Sequence, residues 1–399
     1  MTTNFNSTLI TAQKLLSEYN FDGWLLYNFR RNNEVATKIL EIPTHLFQSR
    51  RYFYFIPKEG EPIKIVHSIE EFTLDHLLGN KKIYNTWQSL QETLKAALKN
   101  SKKIVMEYSP MNNIPYASKI DGGTLDLIRS FGVSVHSSAN ISQYFEATLN
   151  EVQQIDLFSS AKHLRTIVDI AFNFIGEKLR SNSKVTEFDV QQKISNEFEL
   201  RNIYSETDPH CSVNANCANP HYEALKDNSS EIKKGDVILI DLWAKKKSEN
   251  SIYADITWMG FAGKNVPAKY QEVFDVVVGA RDRAVEYLNR EIPNRKVTGA
   301  EVDDVSRNFI NSKNYGKYFV HRTGHNLGEV IHGNGTNIDN YETQDVRELI
   351  PNSTFTIEPG VYLTGEFGVR SELNIFISEK REVIIPGLPI QKEIVLIDC

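Results

Sequence analysis

Apolar and polar positions change rhythm once along this chain. Through the first 145 or so residues, compact apolar runs recur between polar or turn residues. They are Trp24-Leu25-Leu26-Tyr27, Tyr52-Phe53-Tyr54-Phe55-Ile56, Ile63-Lys64-Ile65-Val66 and Lys103-Ile104-Val105-Met106. Runs of this length read as strands. Between them, Leu90, Leu94 and Leu98 fall at helical spacing. Strands alternating with helices predict an α/β unit. Nothing in it groups into a catalytic constellation, so it reads as a structural or oligomerising domain.

From Asn150 the pattern becomes that of a long amphipathic helix. Val152, Ile155, Phe158, Ala161, Leu164, Val168, Ala171, Ile175 and Leu179 recur at steps of three and four. A second helix starts at Thr186, with Asp189 three residues on as a capping-box partner. The change of texture places a domain boundary at about residue 147, dividing 1–147 from 148–399. Beyond it, Asp236–Asp241 and Tyr253–Phe261 read as a hairpin around the polar stretch Lys245–Asn250. Residues 267–290 read as a helix, and Phe355–Tyr362 with Gly368–Ser378 as a last strand pair. Helices segregated on antiparallel strands predict an α+β class for this half.

Composition narrows the functions available. Hydrophobic residues make up 41% and charged residues 24%, which fits a globular chain. The net charge of −6, without basic blocks, argues against nucleic acid and against an anionic membrane surface. No apolar run approaches membrane-spanning length, and residues 1–16 lack the pattern of a signal peptide. Cys211, Cys217 and Cys399 are too few for a disulfide framework and contain no CxxC, so a reducing cytoplasm is the expected compartment. Cys211 and Cys217 read as packing residues. Lys245-Lys246-Lys247 reads as a solvated hairpin tip.

Five residues carry the chemistry. Asp241 ends a buried strand, Asp255 lies inside the next, and Glu358 and Glu372 interrupt the last strand pair. His325 sits in the Gly-punctuated segment His321-Arg322-Thr323-Gly324-His325-Asn326-Leu327-Gly328. A carboxylate in a strand core is costly unless it is paired or holds a cation. Each residue alone has an ordinary structural reading, as turn former, solvated side chain or hydrogen-bonded histidine. Together they ask for a shared counter-charge. Four carboxylates carry −4, which two divalent ions at +4 balance.

The motifs Ile240-Asp241, Ala254-Asp255-Ile256-Thr257, His321-x-x-Gly324-His325-x-x-Gly328, Ile357-Glu358-Pro359-Gly360 and Val369-Arg370-x-Glu372 stand in that order. In this the chain resembles the pita-bread (M24) metallopeptidases, in the branch of Xaa-Pro aminopeptidases and Xaa-Pro dipeptidases. The resemblance runs over about residues 148–399. It implies a pita-bread catalytic domain preceded by a smaller α/β domain of creatinase type. It implies two divalent ions, with Asp241 on the second, Asp255 and Glu372 bridging both, and His325 and Glu358 completing the first. A water acidified by the two ions becomes the nucleophile and Glu358 its general base. His221 and His321 match histidines that line the substrate pocket, and His332 one that stabilises the tetrahedral intermediate. Arg370 holds Glu372 or a neighbour from behind. The oxygen-rich set favours Mn²⁺, with Zn²⁺ or Co²⁺ also able to bind.

The implied activity is hydrolysis of the Xaa-Pro bond of short peptides by a cytoplasmic homodimer. The alternatives are another enzyme on the same scaffold, such as a metal-dependent lyase, and a binding scaffold without catalysis. Arg347 is a candidate for gripping a substrate carboxylate. The chain departs from the family pattern in the thirteen residues between Asp241 and Asp255, in Trp243 and Trp258, and in Gly333, where an acidic residue is usual.

Overall fold

The computed structural model describes residues 2–399, with side chains described from Asn6 onward. The chain divides into two compact units, Met1–Glu146 and Ala147–Cys399.

The N-terminal unit is built on one six-stranded sheet. Its strands are β1 (Gly23–Asn28), β2 (Tyr52–Pro57), β3 (Ile63–His67), β4 (Asn80–Tyr84), β5 (Lys103–Met106) and β6 (Ser134–Ser137). Their order is β4-β3-β2-β1-β5-β6, and only β2 runs against the others. Alternate side chains leave a strand on opposite faces. Leu26, Tyr54 and Val105 therefore join one core, with α1 (Thr2–Glu18), α2 (Glu34–Ile39) and α5 (Ala139–Glu146). Leu25, Phe55 and Ile104 join the other, with α3 (Trp87–Leu98) and α4 (Gly122–Ser130). Being covered on both faces, the strands read as unbroken apolar runs rather than alternating ones.

The C-terminal unit packs helices on antiparallel strands. A central hairpin joins β9 (Val237–Lys246) to β10 (Ala254–Ala262), flanked by β7 (Ile203–Tyr204), β8 (His210–Val213) and β16 (Val395–Ile397). Ile240, Leu242 and Ile256 point to a core shared with α6 (Glu151–Arg180) and α7 (Glu187–Leu200). Val237, Leu239, Met259 and Phe261 point the other way, into a core shared with α8 (Ala268–Glu291) and Ile310 of α9 (Gly299–Ser312). Each fully buried aliphatic or aromatic side chain stabilises by about 1.5–3 kcal/mol.

Three features differ from the sequence expectation. The last strand pair is two short ladders, β11 (Thr354–Ile357) with β14 (Leu373–Ile377) and β12 (Gly360–Leu363) with β13 (Phe367–Arg370). The break falls at Glu358-Pro359, opposite Ser371-Glu372, because proline has no N–H to give the ladder. β15 (Val383–Ile384) pairs antiparallel with β14 on its other edge.

Along α6, Val152 and Ile155 are exposed, while Leu157, Ala161, Leu164, Val168 and Ile175 are buried. Each three-residue step turns a helix by about 300°, so the run 152-155-158-161 walks around it rather than along one face.

Lys245 is buried instead of solvated. Its Nζ donates to the Glu329 carbonyl at 2.6 Å, close to the Tyr204 and Tyr253 rings. Lys246 pairs with Asp156 and Lys247 with Glu199.

Candidate metal centre

The hairpin register sets the site. Val237 faces Phe261, Leu239 faces Met259, Asp241 faces Thr257 and Trp243 faces Asp255. Directly opposed residues share a face. One end of this face is therefore core and the other carries Asp241, Thr257, Trp243 and Asp255. β8 adds His210 opposite Asp241. Glu372 arrives from the break in the last hairpin, where its N–H donates to the Thr257 carbonyl at 3.2 Å.

His325 comes from a segment zipped against β11. The Thr356 N–H donates to the His325 carbonyl at 2.9 Å, and the His325 N–H to Thr356 Oγ1 at 3.0 Å. A Cβ on Gly324 would lie 2.0 Å from the Thr356 carbonyl oxygen, so only glycine permits this approach. Thr356 Oγ1 also donates to Glu358 Oε1 at 3.0 Å.

Donor atoms of Asp255, His325 and Glu372 lie within 4.8 Å of one another, all buried. His325 Nε2 is 3.7 Å from Asp255 Oδ2 and 3.3 Å from Glu358 Oε1. Asp241 stands beside this group. Its Oδ1 and Glu372 Oε2 are both 2.8 Å from the Thr257 hydroxyl. Asp255 Oδ1 and Glu372 Oε1 are buried with no hydrogen-bond partner.

The electrostatics agree with the geometry. Burial pushes the Asp255 and Glu372 carboxyls well above the usual carboxylate range, and the neighbouring carboxylates add to it. Burial opposes ionisation of Glu358 too, yet His325, Arg370, His321 and Arg322 draw it below its ordinary value. Burial lowers His325, which leaves a neutral imidazole with a lone pair to give. Orphaned carboxylate oxygens facing a neutral imidazole make a donor set that a divalent cation fits.

Arg370 holds Asp241 rather than Glu372. Nη2 donates to Asp241 Oδ2, Nε to the Thr257 hydroxyl at 2.9 Å and Nη1 to the Tyr362 hydroxyl at 3.2 Å. Tyr362 in turn lies 2.8 Å from His321 Nε2, so His321 reaches the cluster through Tyr362 and Arg370. The His332 ring stands edge-on to His325 with centroids 4.4 Å apart. Burial, then the proximity of His325 and Arg322, draws His332 down to about 4. His221 is exposed on its loop, and among the described residues its side chain has no hydrogen bond or ion pair with the carboxylates.

Arg347 does not face the site. Its guanidinium is buried against Asp345 and the Asn334 and Gly335 carbonyls, which leaves nothing for a substrate carboxylate. Cys211 and Cys217 are buried free thiols, as packing predicts. Gly333 also has a reason. A Cβ there would lie 2.3 Å from Asn326 Oδ1, an atom held by the Gly335 N–H.

Sequence reasoning passed over three neighbours. His210 Nδ1 is 3.8 Å from Asp241 Oδ2, and its ring meets Trp243 edge-on at 4.9 Å. Thr257 joins Asp241, Glu372 and Arg370, and Tyr362 joins His321 to Arg370. Only Thr257 carried a local signal, the two-residue step from Asp255 that puts both on one face.

Residues 160–379 match the model of metallopeptidase family M24. An Xaa-Pro dipeptidase of Pyrococcus furiosus is 34% identical over 165 residues, which cover 41% of this chain and 44% of that protein. A Mycoplasma genitalium protein, whose name carries a provisional Xaa-Pro aminopeptidase assignment, is 29% identical over 245 residues. That match covers 60% of this chain and 65% of the relative, so the aligned stretch spans less than two thirds of either protein. In structure, a dipeptidase from Mycobacterium ulcerans superposes with a TM-score of 0.66 at 17% identity, covering 99% of this chain and 98% of that one. The fold is the expected one, a smaller α/β unit followed by a pita-bread unit.

Proposed function

Since the chain belongs to metallopeptidase family M24, we propose that it is a metal-dependent exopeptidase that hydrolyses the Xaa-Pro bond of short peptides. Asp241, Asp255, His325, Glu358 and Glu372 hold two divalent ions, with Mn²⁺ favoured by the oxygen-rich set. The observation that carries this reading is the pair of orphaned oxygens, Asp255 Oδ1 and Glu372 Oε1, beside His325. Ions bound there supply Lewis-acid chemistry and acidify water.

The chain's own groups do the rest. Glu358, held ionised by the cations and imidazoles around it, accepts a proton at its carboxylate. His332 is neutral near pH 7, so it donates an N–H to the carbonyl oxygen as charge develops. An Xaa-Pro bond has no amide N–H, so its carbonyl oxygen is the handle the site must grip. Arg370 fixes Asp241 and Thr257 from behind, and His321 steadies Arg370 through Tyr362. His221 lines the substrate approach. Three free cysteines suit a reducing cytoplasm, and the working form is a homodimer.

The test is a peptide panel on metal-loaded protein. Xaa-Pro dipeptides and longer Xaa-Pro-Yaa peptides are compared with matched Xaa-Ala peptides, with Mn²⁺ added or chelated. Cleavage before proline that needs the metal is expected. Equal cleavage of Xaa-Ala peptides, or no cleavage by protein shown to hold metal, overturns the proposal.

A further inference from the structure

A cavity of about 910 Å³ lies wholly within the N-terminal unit, far larger than the space of about 10 Å³ beside His210 and Arg370. Its lining comes from the carboxyl ends of β1, β3 and β4, the segment leading into β2 and the start of α4. In open α/β sheets, ligands sit outside the carboxyl ends of parallel strands. A volume of this size is also that of a small-molecule pocket.

The lining is charged in one sense. Arg30, Arg50, Arg51 and Lys119 contribute cations, and Asp121 is the single carboxylate. Asp121 is already committed, accepting from the Thr124 N–H at 2.8 Å, the Thr124 hydroxyl at 2.8 Å and the Tyr27 hydroxyl at 3.1 Å. Lys119 is committed to Glu34 at 2.6 Å. The guanidinium groups of Arg30, Arg50 and Arg51 form no ion pair with a carboxylate among the described residues.

These arginines are mounted on a fixed frame. Glu70 accepts from the Ser49 N–H, the Ser49 hydroxyl and the Arg50 N–H at 2.8, 2.5 and 3.0 Å. Arg31 Nη2 donates to the Pro43, Thr44 and Leu46 carbonyls at 2.9, 3.0 and 2.8 Å. Arg30 and Arg31 both take positive φ, 54° and 60°. That conformation is strained for a non-glycine residue, so the surrounding contacts must hold it. The backbone is pinned; Arg50 Nη1 donates to Ser49 Oγ at 2.9 Å, Arg30 lies over the Phe29 ring at 5.5 Å and Arg51 lies against Tyr84, so these contacts orient the guanidinium groups without neutralising their charge. Phe29, Tyr84 and the largely exposed Trp87 add flat apolar surface to the same wall.

The geometry points to a second ligand site here, for a small organic anion with a planar ring. Its phosphate or carboxylate lies on the arginines, whose planar forks suit such oxygens, and its ring lies against the aromatic wall. This site is independent of the peptidase reading and of the metal centre.

The test uses the full chain and three probes: AMP, adenosine and inorganic phosphate, each titrated by calorimetry. AMP is expected to bind at least about tenfold more tightly than either fragment, since it alone offers both charge and ring. The double substitution Arg50→Ala with Arg51→Ala should weaken AMP at least about tenfold. Arg30→Gln serves as a second variant should the double variant not fold. Metal content and peptide turnover should be unchanged in either. Absence of AMP binding at about 1 mM, or AMP binding that survives the arginine substitutions in folded protein, overturns the proposal. A phosphate as tight as AMP overturns the ring assignment.

Discussion

Glu107 and Glu372 are buried to the same extent and could hardly be treated more differently. Glu107 follows β5 in the N-terminal unit. Its Oε1 accepts from Trp24 Nε1 at 2.6 Å and Ser138 Oγ at 3.2 Å, and its Oε2 from Asn33 Nδ2 at 2.7 Å. Every oxygen has a donor. Glu372 shares its surroundings with Asp241, Asp255 and Glu358, and its Oε1 has none. Glu187 shows that the C-terminal unit can also satisfy a buried acid, with Val213 N–H, Asn216, Tyr222 and Ser230 N–H around it. Burial therefore does not mark a metal ligand. A carboxylate ringed by neutral donors is structural, and one ringed by other carboxylates with an oxygen left over awaits a cation.

The largest expected effect tests the cation side of that contrast. Asp255→Asn should lose bound divalent metal and cut turnover by more than about 100-fold, the upper end for residues that only support a ligand. Metal analysis and peptide turnover measure both. A variant that keeps its full metal content removes Asp255 from the ligand set.

His332 sharpens the boundary of the cluster. It meets the His325 ring edge-on but is proposed to meet the substrate oxygen, not the metal. His332→Ala should lower kcat by about 10²–10³, or about 3–4 kcal/mol, with KM and metal content near normal. Release of metal would make it a ligand instead.

The smallest effect concerns Glu107, whose carboxyl burial pushes up to about 7 from an ordinary 4.5 against the pull of Trp24, Asn33 and Ser138. Below 4.5 both folded and unfolded chains hold the proton, and its stabilisation is complete. Between 4.5 and about 7 only the folded chain holds it, so stability falls as pH rises and levels off above 7. The loss is about 3 kcal/mol at 1.36 kcal/mol per unit. Urea midpoints across pH 4–8 should fall less steeply in Glu107→Gln than in the natural chain, with Asp255 and Glu372 adding to the slope of both. Profiles of equal slope in the two would show that Glu107 stays ionised and that its donors outweigh its burial.

What was legible in the sequence follows the range of the interaction. The five proposed metal ligands sit in local motifs, and capping at Thr186 lies within three residues of its partner. The donors around Glu107 come from 31, 74 and 83 positions away, and no local pattern announces them. His210 becomes visible only once β8 is laid against β9. The register of α6 failed for a local reason, since three-residue steps suit either of two faces until a partner selects one. Lys245 reads as a hairpin tip because β9 continues through polar residues that packing against Tyr204 and Tyr253 accommodates.

Thr257 offers one hydroxyl proton to two carboxylates. Its oxygen lies 2.8 Å from both Asp241 and Glu372 while Arg370 donates into it. One proton cannot fill two donor positions, so with no cation at hand a second must reside on a carboxyl. The raised proton affinity of Glu372 makes it the holder. Metal uptake then has to expel that proton. Loading the centre is therefore an acid-releasing exchange, and its calorimetric heat should differ between phosphate and Tris by the difference in their ionisation enthalpies.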